Sequence, residues 1–152
     1  MPGRLAPYSV NLLIDRVFRD GYGSLPSWYL GLLTQEPPLD GTYFIYPRSM
    51  EVTYTGYARQ LVTWRNTNGD TTGNPSSGTS GETTPVNHIY FPVCTTSTQL
   101  ITHVVLSDTT TFSTDYNYGY AYVELDTPIQ LQATSPGFFP TISPNALRLA
   151  FR

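Results

Sequence analysis

The sequence predicts a mainly β protein, a β-sandwich or jelly roll with one short N-terminal α-helix, in a single domain over residues 1–152. Beyond Gly21, apolar residues recur with a period of two in a succession of short segments, which is typical of strands. Thirteen prolines and twelve glycines separate these segments, as turns between short strands require. Only 12% of the residues are charged, so Thr, Ser, Asn, Gln and Tyr must supply most of the polar surface, which suits sheets and turns.

A helix is predicted over residues 9–20. Ser9 is a suitable N-cap, and Gly21 can adopt the left-handed conformation that ends a helix. Apolar side chains recur between them at helical spacing, at Val10, Leu13, Ile14, Val17 and Phe18. A helix this short needs a sheet or a partner to cover its apolar stripe.

The strands are predicted in the following order: 27–34, 43–46, one or two within 51–64, 86–93, 100–107, 118–133 with a bend at Pro128, and 146–152. Turns or loops are predicted between them at 35–42, 66–85, 108–117 and 134–145, and we expect the long, glycine-rich loop at 66–85 to be flexible. In the last strand Leu147, Leu149 and Phe151 alternate with arginine, which predicts that they line the core.

The charge of the chain argues against nucleic acid as a partner. The net charge is −3, and all eight cationic residues are arginines, too few for a basic stripe along a phosphate backbone. A surface without lysine fits contact with other proteins, because lysine is depleted at protein interfaces. No apolar run approaches the ~18 residues that would cross a bilayer, and Met1–Pro7 lacks the apolar centre of a signal peptide. We therefore expect no membrane partner, assembly in the cytoplasm and no secretion by a signal-peptide route.

Residue types that carry catalysis or bind metals are few and scattered. His88 and His103 lie in predicted strands, where a structural role is the more common one, and a zinc site that adds Cys94 lacks the short paired spacings of such sites. The lone Cys94 is expected to be a small buried hydrophobic residue. The segment Asn66–Asp70 begins like a calcium loop but lacks the glutamate that such a loop needs at its twelfth position.

Two acidic residues, Glu124 and Asp126, share one face of a predicted strand. Paired carboxylates carry glycoside hydrolysis, but acids at i and i+2 are also common on solvated strand ends. The chain contains no Gly-x-Ser-x-Gly, Walker or dinucleotide-binding motif. We therefore expect no enzyme activity, catalytic residue, cofactor or metal.

The most unusual local feature is a row of tyrosines. Alternate positions carry Tyr116, Tyr118, Tyr120 and Tyr122, so a strand would project all four rings to one side. The opposite side, with Ala121, Val123 and Leu125, is the better candidate for the core. Rigid, amphipathic rings favour a protein interface, which we predict at Tyr118, Tyr120 and Tyr122. The alternative is that these rings are ordinary strand residues that pack on a loop or on the helix.

Five segments together resemble a family of small tailed-phage virion proteins, variously described as tail, fibre or capsid decoration proteins. They are Asn11–Phe18, Trp28–Thr34, Gly56–Gln60, Ile89–Pro92 and Ile101–Asp108. The resemblance covers about two-thirds of the chain and implies no catalytic residue. The chain departs from the pattern at Val105, where glycine is usual, and in the enlarged segments 41–50, 66–82 and 134–145.

The resemblance leaves two functions open. The first, which we favour from the sequence, is a capsid cement protein: a homo-oligomer, most simply a trimer, that binds the phage major capsid protein on the outside of the head. The alternative is a tail or fibre component that attaches the particle to the host surface, in contact with tail proteins. An enzyme that acts on host glycans is a distant third. The number of copies per virion separates the first two.

Overall fold

The computed structural model describes residues 28–38, 44–64, 82–85, 87–110, 112–113, 115–133, 137–143, 146–147 and 149–150. Ten strands form within these ranges: β1 Tyr29–Leu33, β2 Phe44–Pro47, β3 Gln60–Leu61, β4 Glu82–Thr83, β5 Ile89–Tyr90, β6 Leu100–Ser107, β7 Tyr116–Gly119, β8 Ala121–Gln130, β9 Thr141–Ile142 and β10 Leu149–Ala150. One turn of 3₁₀ helix, Arg48–Met50, follows β2. The predicted mainly β class is therefore confirmed.

The main sheet has four antiparallel strands in the order β3-β1-β6-β8. β1 and β6 are its central strands and pair over five residues, from Tyr29 opposite Ser107 to Leu33 opposite His103. β1 carries three leucines, β6 carries Ile, Val and Leu, and both strands are largely buried. The predicted strands at 27–34 and 100–107 are confirmed.

β8 lies at the edge of this sheet within the described part of the chain. Its pairing with β6 is irregular. Glu124 pairs with His103 and Ile129 with Ile101, so the four residues 125–128 of β8 lie opposite the single residue Thr102. Pro128 lies in this bulge, where its missing N–H removes no hydrogen bond between the two strands. The bend predicted at Pro128 therefore corresponds to a bulge inside one long strand.

Three two-stranded antiparallel ribbons complete the described structure: β2 with β7, β5 with β9, and β4 with β10. A further bridge between Cys94 and Phe138 continues the β5–β9 ribbon. The chain divides into two compact units. The larger comprises Ser27–Val62 and Ile89–Ile142 and holds the main sheet and the first two ribbons. The β4–β10 ribbon, the Trp64–Pro85 bridge and the buried Leu147 belong to the other unit.

In several segments the observed structure differs from the one that the sequence predicts. The segment 51–64 holds only the short β3, because the chain turns at Gly56, with φ +84°, and sends Glu51 and Arg59 into the interior. The loops predicted at 66–85 and 134–145 contain β4 and β9, and a two-residue strand shows no periodicity that a sequence could reveal.

The predicted helix 9–20, the segment Asn66–Asp70 and Phe151 lie outside the described residues. The sandwich or jelly-roll arrangement and the single domain stay predictions.

Val105 fills a space that two glycines leave open. Its side chain is fully buried beside Leu33 and Tyr46, and a Cβ at Gly119 would lie 2.4 Å from its Cγ2 atom. A Cβ at Gly31 would lie 3.0 Å from its Cγ1 atom and 2.7 Å from a carboxylate oxygen of Glu51. The valine that departs from the phage-protein pattern is therefore accommodated by glycines on both neighbouring segments.

Gly119→Ala should lower the free energy of unfolding by about 1–3 kcal/mol, because the new methyl overpacks a stiff, buried valine. Urea unfolding of the purified protein measures this. Val105→Ala in the same chain should recover part of the loss, which a double-mutant cycle reports as a coupling energy.

Gly56→Ala is the matched control. It introduces backbone strain of about 1 kcal/mol at a positive φ, and a Cβ there has no neighbour within 4 Å. Val105→Ala should not rescue it. Equal coupling of Val105 to both glycines would contradict this account of the packing.

Candidate functional site

A buried ion pair lies at the centre of the larger unit. Glu51 follows the 3₁₀ turn and bridges to Leu33, and Arg59 follows the turn at Gly56. Neither side chain is exposed to solvent. The guanidinium meets the carboxylate through two hydrogen bonds, Nε to Oε1 at 2.9 Å and Nη2 to Oε2 at 2.8 Å. This two-pronged geometry is the strongest that an arginine can form with a carboxylate.

Neutral donors complete the carboxylate's coordination. The Tyr57 hydroxyl donates to Oε1 at 2.9 Å and the Tyr46 hydroxyl donates to Oε2 at 3.0 Å. The Asn117 amide makes a longer contact with Oε2, at 3.4 Å. Glu51 is therefore surrounded by hydrogen-bond donors, which a buried carboxylate needs in order to stay charged.

The guanidinium of Arg59 is equally well supplied with acceptors. Its Nη1 donates to the Ser107 hydroxyl at 3.1 Å and to the Thr109 carbonyl at 3.0 Å, and its Nη2 donates to the Tyr46 hydroxyl at 2.9 Å. The ring of Phe112 lies 4.8 Å from the guanidinium carbon, within cation–π range. We call Tyr46, Glu51, Tyr57, Arg59, Ser107 and Asn117 the Glu51 cluster.

The pKa values of three members of the cluster, Tyr46, Tyr57 and Arg59, are raised. Burial, followed by the negative charge of Glu51, raises the pKa of Tyr57 and of Tyr46 well above the ordinary tyrosine value. Burial disfavours the charged form of Arg59, but the hydrogen bonds and charge of Glu51 outweigh it and raise the arginine pKa. The two phenols therefore remain neutral donors, and the polar groups of the cluster are engaged with one another.

Sequence analysis did not single out the Glu51 cluster. Its two charged members lie within 51–64, where the sequence predicts one or two strands, whereas the structure has an irregular turn between them. One signal was present, since Tyr57 and Arg59 both lie in Gly56–Gln60, a segment that carries the resemblance to phage proteins.

The predicted tyrosine row is exposed along β7. Tyr116, Tyr118 and Tyr120 are 55%, 56% and 52% exposed, and they alternate with the buried Asn117 and Gly119. The inner residues face Tyr46 and the Glu51 cluster across the β2–β7 ribbon. One face of this ribbon is thus anchored in the core while the other presents aromatic rings.

Tyr122 stands apart from the other three rings. β7 ends at Gly119 and pairs with β2, whereas Tyr122 belongs to β8 in the main sheet. It is only half-exposed, its hydroxyl donates to a Glu36 oxygen at 2.6 Å, and this hydrogen bond raises its pKa. Tyr120, at the break, donates to Asp108 at 2.8 Å and packs edge-on against Trp28. The structure therefore keeps Tyr118 on the β2–β7 ribbon, places Tyr120 at the break and puts Tyr122 in the main sheet.

The face of β8 opposite Tyr122 is the one that the sequence predicts to face the core. Leu125 is buried, and Ala121 and Val123 are half-buried. Two further aromatic residues are exposed, Tyr90 in β5 at 62% and Phe139, which precedes β9, at 60%.

The remaining candidate residues lie on several different elements. Cys94 is buried, as expected, and its thiol donates to the Ser97 carbonyl at 3.5 Å. His103 is buried with its Nδ1 2.8 Å from the Thr102 hydroxyl, and Glu124 lies opposite it on β8. His88, Glu124 and Asp126 are exposed. Within the described ranges, no three His, Cys, Asp or Glu side chains form a group that could hold a metal ion.

The chain matches a known family of phage proteins. Residues 4–141 match the family model of podophage GP4 fiber I protein gp80. The chain belongs to this family. The comparison with curated proteins returns no match.

Membership confirms that the chain is a structural protein of a tailed-phage virion, as the sequence resemblance implied. It also favours the fibre or tail alternative over capsid cement, and it implies association with other virion proteins. In the part of this fibre-family chain that the structure describes, no helix is long and apolar enough to cross a membrane.

Arg59→Met should destabilise the fold by about 3–5 kcal/mol, because it leaves the Glu51 carboxylate buried without its counter-charge. Arg59→Lys should cost less, since it keeps a charge but cannot form the two parallel hydrogen bonds. Chemical denaturation of each variant measures the free energy of unfolding.

Asp126→Asn is the control, because it removes an exposed carboxylate from β8 and should change stability by no more than about 0.5 kcal/mol. Similar losses in Arg59→Met and Asp126→Asn would show that the ion pair is not the structural centre described here.

Stability should fall as the pH rises above about 10, the ordinary pKa of tyrosine. The Tyr46 and Tyr57 pKa values are raised in the folded state, so the folded protein keeps two protons that the unfolded chain releases. Their contribution is complete below pH 10 and is lost above it, at up to about 1.4 kcal/mol per pH unit for each phenol. Tyr57→Phe should flatten the decline in a series of denaturation curves between pH 9 and 11.5. Parallel profiles for the variant and the parent protein would refute this coupling.

Proposed function

We propose that this chain is a fibre component of the phage tail that takes part in attachment of the particle to the host surface. The observation that carries the proposal is the match to the podophage fibre I family over residues 4–141. Capsid cement has no comparable support, since it rests on the broader resemblance to phage virion proteins. A role in binding, without a catalytic step, fits the Glu51 cluster, whose carboxylate is occupied by its own neighbours.

We further propose that the exposed rings of Tyr118 and Tyr120 contact another virion protein or a second copy of the chain. Tyrosine favours interfaces because it buries a large area and loses little conformational entropy on binding. Tyr118 lies on β7 and Tyr120 directly follows it, and the inner residues of β7, Asn117 and Gly119, are buried against the core. We also propose that the chain forms a homo-oligomer, most simply a trimer, and its low charge density lets copies approach without strong repulsion.

Attachment to the virion should depend on the tyrosine row. In phage that carry Tyr118→Ala, we expect less of the protein in purified particles, because truncation of an interface anchor costs about 2 kcal/mol or more. Gel densitometry against the major capsid protein gives the copy number, and immunogold labelling gives the position. Label on the tail, at few copies per particle, is the expected result for unmodified phage.

Tyr90→Ala is the matched control, because it removes a strand tyrosine of similar exposure from the β5–β9 ribbon. It should leave occupancy unchanged, and the thermal midpoints of both variants should match that of the parent. Label over the head at a copy number close to that of the capsid protein would replace the fibre proposal with capsid cement. Equal loss from both variants would move the interface away from β7.

A further inference from the structure

An open cleft of about 340 Å³ lies beside the tyrosine row. It is lined by Pro47, Arg48, Ser49, Asp115 and Tyr116. The cleft forms where the β2–β7 ribbon ends, because Pro47 lies opposite Tyr116 and the chain then enters the 3₁₀ turn. All of its lining residues belong to the larger unit.

Arg48 is held in place at the edge of this cleft. Its Nη1 donates to the Glu51 carbonyl at 3.1 Å, and its guanidinium carbon lies 4.4 Å from the centre of the Phe112 ring. Its backbone N–H donates to the Asp115 carbonyl at 2.9 Å, which joins the two charged lining residues through the main chain. The same Phe112 ring contacts Arg59, so the arginine in the cleft shares a support with the Glu51 cluster.

The other polar groups of the cleft face solvent. Asp115, Ser49 and Tyr116 are exposed, and within the described ranges their side-chain oxygens have no protein partner. The cleft therefore offers a carboxylate and two hydroxyls, and Arg48 adds further N–H donors. One aromatic ring, 55% exposed, borders these groups.

This set of groups matches a pyranose sugar. A pyranose has an apolar C–H face that can lie on an aromatic ring, and a rim of hydroxyls that can donate to a carboxylate and accept from a guanidinium. The opposite charges of Arg48 and Asp115 favour a neutral sugar, because a phosphate or carboxylate on the ligand would face the aspartate. Sites for small ligands commonly combine an apolar surface with a few convergent polar groups in this way.

We propose that the cleft between Arg48 and Tyr116 binds a neutral saccharide unit of a bacterial surface glycan. The inference rests on the proposed attachment function and names the chemistry that the fibre component would recognise. The inner face of the same ribbon is tied to Glu51 through Tyr46 and Asn117, which holds in place the two strands that end at the cleft. A preformed site loses less conformational entropy on binding.

The test uses the purified full-length chain. The protein is first applied to an array of purified bacterial surface polysaccharides. A short oligosaccharide from the strongest hit is then titrated into the protein and followed by NMR, which reports the affinity per site whatever the oligomeric state. Tyr116→Ala and Asp115→Asn should each weaken binding about tenfold, the loss expected for an anchor group.

Two matched variants serve as controls. Tyr90→Ala removes an exposed strand tyrosine from the β5–β9 ribbon, which is 62% exposed and does not line the cleft. Asp126→Asn removes an exposed carboxylate from β8. Both should bind the oligosaccharide like the parent, and all four variants should keep its thermal midpoint.

Loss of binding in the cleft variants alone supports the site. Absence of any hit on the array, or an affinity that is equal in all four variants and the parent, overturns it. The two proposals fail separately: immunogold label on the tail without saccharide binding removes only this inference. Saccharide binding by a protein that labels the head removes the fibre assignment and leaves the cleft in place.

Discussion

The ion pair between Glu51 and Arg59 is the interaction on which the larger unit depends. Removing two charges from water costs several kcal/mol for each ion, and only a complete set of hydrogen bonds offsets that cost. The bonds come from separate parts of the chain. Tyr57 also accepts a hydrogen bond from Leu32 N–H in β1, Ser107 ends β6, Tyr46 belongs to β2 and Asn117 to β7. A different arrangement of these strands would leave a buried charge unpaired, so the pair selects one packing over its alternatives.

This constraint also explains why the exposed features lie on the β2–β7 ribbon. A two-stranded ribbon is weak by itself, because it can bury only one face. Here that face is fixed by polar contacts with Glu51 and by the close approach of Gly119 to Val105. The outer face is then free to carry tyrosines and the edge of a cleft, since the stability of the ribbon comes from its inner side. Surface residues can change on such a scaffold without loss of the fold.

Sequence patterns predicted the parts of the fold whose residues act through periodicity and burial. The central strands β1 and β6 are long and apolar, and their positions were predicted to within two residues. The outward projection of Tyr116 and Tyr118 from one side of a strand was also predicted. The break at Tyr120 was not, because it depends on β7 and β8 pairing with different strands, which is a long-range property.

The Glu51 cluster escaped prediction for a related reason. Its members lie 5 to 66 positions from Glu51, so no local window contains the set. Burial of a glutamate and an arginine also runs against the expectation that charged residues stay at the surface. Only a comparison across related phage proteins, as in the segment Gly56–Gln60, carries information of that kind.

The composition of the chain indicates how such a protein recognises its partners. With 12% charged residues and no lysine, it has little electrostatic field to steer an approaching partner, so association relies on contact area and on rings such as Tyr118. Contacts of this kind are individually modest for a small cleft or a short aromatic row. Several copies on one particle would raise the effective concentration of each remaining site once the first has bound, which strengthens attachment without any new contact. Weak, repeated recognition by a rigid subunit is therefore the physical regime in which the proposed fibre component would work.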